Sequence, residues 1–401
     1  MKDVFIIDYV RTPIAKISGS LSTIRADDLV ALSLKELISR NPNLPLHEVE
    51  DVLLGCANQA GEDNRNIARM AVLLAGLPHQ IGGETINRLC ASGMAAIANA
   101  YRAIALGEGN IYIAGGVEHM TRSPWVISKA SSPFGRDSKM YDTTFGWRFI
   151  NPKMQELYGT DAMGETAENL AELFHISRED QDLFAFHSQQ KATKAQQSGR
   201  LAQEIFPINI PQKKASDLIF NHDEFIKPNT TLEILSQLKP AFKEGGSVTA
   251  GNSSGLNDGA ATLLLANEDM VKKYHLKPKA KILGAAIAGV QPRIMGIGPV
   301  EASAKLLNRL GLTLDQMDII ELNEAFSAQA LAVIRSWGIP DNDPRINPNG
   351  GAIALGHPLG VSGARIVGSA ALELNLQQKK YALCTLCIGV GQGYAMVLER
   401  C

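Results

Sequence analysis

The sequence predicts an α/β protein with five layers, α/β/α/β/α, made of two copies of one α/β unit with a helical lid inserted. Three observations predict it. "SGMAAIANAYRAI" from Ser92 and "SGARIVGSAALEL" from Ser362 lie 270 positions apart, and the apolar runs from Ile111 and Tyr381 are separated by the same 270. "DVLLGCANQ" from Asp51 pairs with "DIIELNEAF" from Asp318 at 267, and the opening "DVFIIDYVRTP" has a counterpart in "AKILGAAIAGVQP". Several matches at nearly constant offset mark a repeated unit. The helices after the two Ser-Gly pairs are apolar around most of their circumference, and such helices must be buried on all sides. Both are therefore expected between two sheets.

Taken in order, each copy reads strand, helix, strand, small-residue helix, strand. The first copy is expected over residues 1–120, joined by 250–275, and the second over 276–401. The stretch 121–249 has no counterpart and is more polar, which reads as the inserted lid. In it, "SREDQDLFAFHSQQKATKAQQSG" offers Ser177 as an N-cap with Asp180 three residues on, and Gly199 as a stop. A chain of 401 residues exceeds what one core supports, in keeping with two or three domains.

A net charge of −2 gives no electrostatic footprint for nucleic acid or an anionic membrane. No apolar run approaches the roughly 20 residues of a membrane span. The start "MKDVFIIDYVRTP" runs straight into a strand and the end "VLERC" carries no address, so a cytoplasmic location is expected. The five cysteines, an odd number, are expected as reduced thiols. Cys384 and Cys387 form a C-x-x-C, but a structural zinc needs two more ligands and none sits at suitable spacing, so no metal is expected.

Four segments could do chemistry. Cys90, in "NRLCASG", lies at a helix start, where free N–H groups and the helix dipole favour thiolate. His357, in "NPNGGAIALGHPLGVSGARI", sits near the start of the matching helix in the second copy. Five glycines from Gly350 to Gly363 are read as opening the backbone there to a ligand. Cys387 follows a strand and precedes the turn of Gly389, Gly391 and Gly393. Asn323 and Glu324 follow another strand, where α/β units carry site residues. Two thiols, an imidazole and an amide suit acyl transfer through a thioester. Cys90 takes the acyl group, Cys387 with a pKa tuned towards neutrality moves a proton, and His357 and Asn323 hydrogen-bond an enolate oxygen.

With these motifs go "GGVEHM", "MGETAEN", "VTAGNSSGLNDGAA", "MGIGPV", "LNEAF" and "CTLCIGVGQG", and together, along the whole chain, they resemble the thiolase family. The resemblance implies that Cys90 is the acylated nucleophile, activated by His357, and Cys387 the acid/base thiol. It makes His357 and Asn323, the latter through a water, the hole for the enolate oxygen. The backbone N–H groups of Cys90 and Gly389 form a second hole for the tetrahedral intermediate. Ser254 resembles a pantetheine contact, and Met163, Met295 and Phe326 resemble apolar wall residues. The resemblance further implies coenzyme A as co-substrate with no permanently bound cofactor, acyl-CoA as partner, and a homotetramer assembled as a dimer of dimers. Ala162 departs from the histidine of many acetoacetyl-CoA members. Lys227 stands where some place an arginine near the coenzyme phosphate, a point charge in place of a fork.

The segments "YDTTFGWRFINPKMQELYG", "EDNRNIARM" and "CIGVGQG" are similar to thiolases of aromatic catabolism that act on 3-oxoadipyl-CoA, giving succinyl-CoA and acetyl-CoA. Such a substrate ends in a carboxylate. Arg148 is either its partner or half of an ion pair within the lid. Two further readings stand beside this one: a broad 3-ketoacyl-CoA or acetoacetyl-CoA thiolase, and a non-catalytic acyl-CoA-binding protein on the same scaffold. A binder has no use for two thiols and an oxyanion hole.

Overall fold

The structure is a computed structural model that describes residues 2–212 and 216–401. The first copy comprises β1 (Val4–Arg11), β2 (Ala15–Lys16), α1 (Ala26–Arg40), β3 (Val49–Gly55), α2 (Ile67–Leu74), β4 (Glu84–Ile86), α3 (Ser92–Leu106) and β5 (Ile111–His119). The insert holds a hairpin of β6 (Trp125–Ile127) and β7 (Met140–Asp142), then α4 (Pro152–Tyr158), α5 (Met163–Leu173) and α6 (Arg178–Gln197). A second hairpin of β8 (Ile208–Ile210) and β9 (Leu218–Phe220) follows, then α7 (Leu232–Ser236). The chain returns to the first copy as β10 (Asn257–Asn267) and α8 (Glu268–Lys273). The second copy is β11 (Ala280–Gly289), α9 (Gly298–Leu310), β12 (Ile319–Leu322), α10 (Ser327–Ser336), α11 (Ala352–Leu355), α12 (Leu359–Leu376), β13 (Tyr381–Ile388) and β14 (Gln392–Arg400).

The strand order β4-β3-β5-β10-β1 in one copy is answered by β12-β13-β14-β11 in the other, and β1 pairs with β11. The two sheets expected from sequence are thus one continuous sheet, joined where Phe5 lies opposite Lys281 and Ile6 opposite Ala280. Pairing the first strands of the two copies covers two edges that would otherwise face water.

Strand alternation sets the layers. On β1, Val4, Ile6 and Tyr9 face a central core with α3 and α12, whereas Ile7 and Val10 face α1 and α2. In the second copy Leu383 and Val397 face α9 and α10. Five layers result, with α3 and α12 in the middle.

These two helices meet because both Ser-Gly pairs lack a side chain at the crossing. A Cβ on Gly93 would stand 2.5 Å from the Gly360 carbonyl, and one on Gly363 would stand 2.5 Å from the Met94 nitrogen. The repeat that reveals the duplication is therefore the contact that packs it. The segment Leu89–Leu106 is long and apolar enough to cross a bilayer by composition, but it is this core helix. α12 begins at Leu359, so Ser362 lies inside its first turn rather than at its start. In the insert, Ser177 accepts from the Asp180 N–H and α6 ends before Gly199 at φ +76°, as its sequence foretells.

Candidate active site

The site forms where α3, α12 and the ends of β12 and β13 meet. Cys90 occupies the single 3₁₀ turn Leu89–Ala91 just before α3. Leu89 is held at φ +47°, and across the site Val390 is held at φ +64° after Gly389. Left-handed backbone at a leucine and at a β-branched valine is costly and persists only where the surroundings enforce it. The two strained residues flank the two groups that face each other. The backbone N–H groups of Gly389 and of Cys90 itself lie near enough to the Cys90 sulfur to favour its thiolate.

Two chambers share Cys90, Met120, Phe145, Met163 and Leu359 as a common wall. One, open to solvent and with about 850 Å³ of empty space counting its mouth, adds Glu118, Trp147, Arg148 and Gly389. The other, of about 780 Å³, adds Ser254, Phe242, Met295, Phe326, His357 and Cys387. Cys90, His357, Cys387, Gly389, Met163, Met295, Phe326, Ser254 and Arg148 are thus brought to one place. Asn323, fully buried, joins them through its Nδ2, 3.4 Å from His357 Nε2. Lys227 is not brought to them. It lies over the Phe225 ring, in a separate groove with Gln190, Thr193 and Lys194.

His357 is oriented by a residue to which the sequence assigned no role. The Ser362 hydroxyl donates to the Pro358 carbonyl at 3.0 Å and lies 2.6 Å from His357 Nδ1, so it accepts from an Nδ1–H. That leaves Nε2 as the acceptor facing the site. The His357 backbone N–H is held by Asn257 Oδ1 at 2.9 Å. Burial, then the nearby Arg365 charge, lowers its pKa to about 4, so the ring is neutral near pH 7.

The thiols depart from expectation. Cys90 opens onto the chambers, yet desolvation pushes its pKa up to about 11, overcoming the two N–H groups that favour thiolate, and the Glu118 charge adds to the rise. Cys387 is raised further, by burial and then by its neighbour Cys90. The helix start does stabilise charge, but dehydration of the pair outweighs it. The resting site holds two thiols and a neutral imidazole, not the thiolate and near-neutral thiol expected from sequence.

The glycines also serve otherwise than expected. A Cβ on Gly351 would strike the Glu324 carboxyl, on Gly356 the Asn257 amide, and on Gly360 the carbonyls of Gly55 and Val117. They let protein approach protein, not a ligand. Cys384 and Cys387, three apart on a strand, point to opposite faces, and Cys384 is buried in the central core with its sulfur 3.5 Å from the Ile366 carbonyl. They do not form a dithiol. The ligand atoms of Cys56, Asp63 and Glu118 lie within 4.8 Å of one another. Both carboxylates there already accept backbone N–H groups, Asp63 from Gly61 at 2.8 Å and Glu118 from Ala57, Asn58 and Gly360.

Comparison with known proteins agrees along the whole chain. The family described as "Thiolase, N-terminal domain" matches residues 4–269, and "Thiolase, C-terminal domain" matches 276–400. The chain is 58% identical over 400 residues, covering 100% of both, to the 3-oxoadipyl-CoA/3-oxo-5,6-dehydrosuberyl-CoA thiolase of Escherichia coli. It is 57% identical over 399 residues to the beta-ketoadipyl-CoA thiolase of Pseudomonas aeruginosa, covering 100% of this chain and 99% of that one. The crystal structure of the Bacillus anthracis acetyl-CoA acetyltransferase superposes with a TM-score of 0.93 at 40% identity, over 100% of this chain and 99% of that one.

Proposed function

Because the chain belongs to the thiolase family, we propose that it cleaves 3-oxoadipyl-CoA with coenzyme A to succinyl-CoA and acetyl-CoA, through a succinyl group carried on Cys90. The observation that carries this reading is the convergence of Cys90, His357 and Cys387 on one chamber, with Asn323 bonded to His357. The names of the relatives at 58% and 57% identity support the substrate.

The residues act in two half-reactions. His357 Nε2 takes the Cys90 proton as the sulfur attacks the 3-keto carbon of the substrate. The bond between carbons 2 and 3 then breaks, and acetyl-CoA departs as an enolate. Its oxygen is stabilised by the protonated His357 Nε2–H and by Asn323. The Cys387 thiol, held protonated by burial, gives its proton to carbon 2. Coenzyme A then enters, Cys387 takes the proton of its thiol, and the new thiolate attacks the thioester on Cys90; succinyl-CoA forms as Cys90 leaves as a thiolate and recovers its proton from His357. The Gly389 and Cys90 N–H groups receive the tetrahedral oxyanion. Dividing one exchange into two easier steps is what the covalent intermediate accomplishes.

Arg148 would read the far end of the acyl group. It lines the chamber of Cys90 and Gly389, on the side away from His357 and Cys387, and it forms no ion pair among the described residues. Replacing Arg148 with Ala is expected to lower kcat/KM for 3-oxoadipyl-CoA by about 10- to 100-fold, the scale of a lost charge-assisted hydrogen bond. Acetoacetyl-CoA, which has no terminal carboxylate, should be affected far less. Equal losses on both would contradict this assignment and favour a broad 3-ketoacyl-CoA thiolase.

The assembly implied by the family, a homotetramer of tight dimers, is proposed with this function. Exposed Trp125, Ile127 and Met140 on the β6–β7 hairpin supply apolar surface for it. A cytoplasmic location fits five cysteines that are all unpaired.

A further inference from the structure

Asn323 is held in an unusual way for a residue on which an oxyanion would depend. Its side chain is fully buried, its Oδ1 has no hydrogen-bond partner, and its Nδ2 makes one long contact to His357. Its own side-chain bonds therefore do little to fix it. What fixes it lies in the backbone on either side.

Asn347 brackets it. The Asn347 Oδ1 accepts from the Leu322 N–H at 2.9 Å, and its Nδ2 donates to the Leu322 carbonyl at 2.8 Å, just before Asn323. The same Nδ2 donates at 2.7 Å to Oε1 of Glu324, just after it. Asn347 is itself held at φ +44° and is buried. The other oxygen of Glu324 accepts from the Ser188 hydroxyl of α6 at 2.6 Å and from the Ile353 N–H at 3.3 Å. Ser188 in turn accepts from the Gly351 N–H at 3.1 Å, and only glycine fits at 351 because the Glu324 carboxyl occupies the space of a Cβ. One carboxylate thus ties three elements: the strand end bearing Asn323, the loop leading to His357, and helix α6 of the insert.

We propose that Glu324 and Asn347 are positioning residues for Asn323, setting the amide at the distance from His357 that enolate stabilisation requires. The inference rests on the thiolase reading above and adds to it the route by which the inserted helix α6 reaches the site. It also predicts asymmetry. The N–H groups of Cys90 and Gly389 belong to other segments, so loosening Glu324 should spare the acyl-transfer step and harm the enolate step.

The test measures two exchange reactions on the full-length enzyme. Incorporation of solvent deuterium into the acetyl methyl of acetyl-CoA reports the enolate, and exchange of labelled coenzyme A into acyl-CoA reports acyl transfer through Cys90. In Glu324→Gln the deuterium exchange is expected to fall about 10-fold or more, the scale of a misplaced oxyanion donor, with acyl exchange within about threefold of wild type. Ser188→Ala, which removes one donor from the same carboxylate without unpairing Asn347, should shift the two rates in the same direction by less. It carries the test if Glu324→Gln does not fold. Equal losses in both reactions, or no loss in either, would overturn the proposal. If wild-type enzyme supports neither exchange, the thiolase reading itself fails.

Discussion

At the head of α3 the chain passes through a strained turn and presents a sulfur; at the head of α12 it passes through Gly356–Pro358 and presents an imidazole. Both turns are closed by the serine of a Ser-Gly pair. Ser92 donates to the Leu89 carbonyl at 2.7 Å and accepts from the Arg88 N–H, whereas Ser362 donates to the Pro358 carbonyl and accepts from the His357 ring. One hydroxyl finishes a turn in one copy and selects a tautomer in the other. The strand ends differ more. Near the end of β13 stands Cys387, while the matching end of β5 carries Val117 and Glu118, whose carboxylate accepts from Ala57, Asn58 and Gly360. Duplication supplied one frame twice. The first copy carries Cys90 and the Glu118 brace, and the second carries His357, Cys387 and Asn323.

That division can be broken most severely at Cys387. Cys387→Ala is expected to reduce cleavage of 3-oxoadipyl-CoA by about 10²- to 10⁴-fold, the range for a lost general acid, while loading of Cys90 from an acyl-CoA falls much less. Rapid-quench measurement of both steps checks it, and normal turnover would end the assignment of separate tasks to the two sulfurs.

The protonation states sharpen the same contrast. With Cys90 raised to about 11 and His357 lowered to about 4, the resting pair carries no charge near pH 7. A group titrating above the assay range has a thiolate fraction that grows with pH. Alkylation of Cys90 by iodoacetamide should therefore accelerate about 10-fold per pH unit from pH 7 to 9. A rate flat across that range would mean a preformed thiolate–imidazolium pair. The sign for His357 is the usual one for a depressed pKa: stability from keeping it neutral is complete above about pH 6.5 and is lost as pH falls towards about 4.

The smallest effect lies in the shared frame. Gly93→Ala and Gly363→Ala each push a methyl into the opposite helix, and each should lower stability by about 1–3 kcal/mol, the cost of overpacking a close crossing. Denaturant melts of both variants check it. A cost at one glycine alone would show that the crossing is not symmetric.

The duplication, the buried helix pair and the convergence of Cys90, Cys387 and His357 were legible because each leaves a local signature: a repeated string, an apolar circumference, a cysteine or histidine beside glycines. The helix start at Leu359 was read late because Ser-Gly was aligned to Ser-Gly, whereas the three residues before Ser362 are already α-helical and those before Ser92 form a 3₁₀ turn. The glycines of 350–363 were assigned to a ligand because sequence does not show that Glu324, Asn257 and two carbonyls fill the space above them. The thiol pKa values were misjudged for a similar reason. A helix start is visible in sequence, but the burial that outweighs it is set by the folded surroundings, where residues as far apart as Met120, Met163 and Leu359 line the same chambers as Cys90. Ser362 stood in plain view five positions after His357, and only coordinates show its hydroxyl turned to the ring.

The central claim is that groups from both copies serve one covalent intermediate on Cys90, and intact-protein mass spectrometry after brief incubation with 3-oxoadipyl-CoA tests it most directly. The account predicts a succinyl adduct, mapped by peptide digestion to Cys90 and discharged by coenzyme A. An unmodified protein, or an adduct on any other residue, would contradict it.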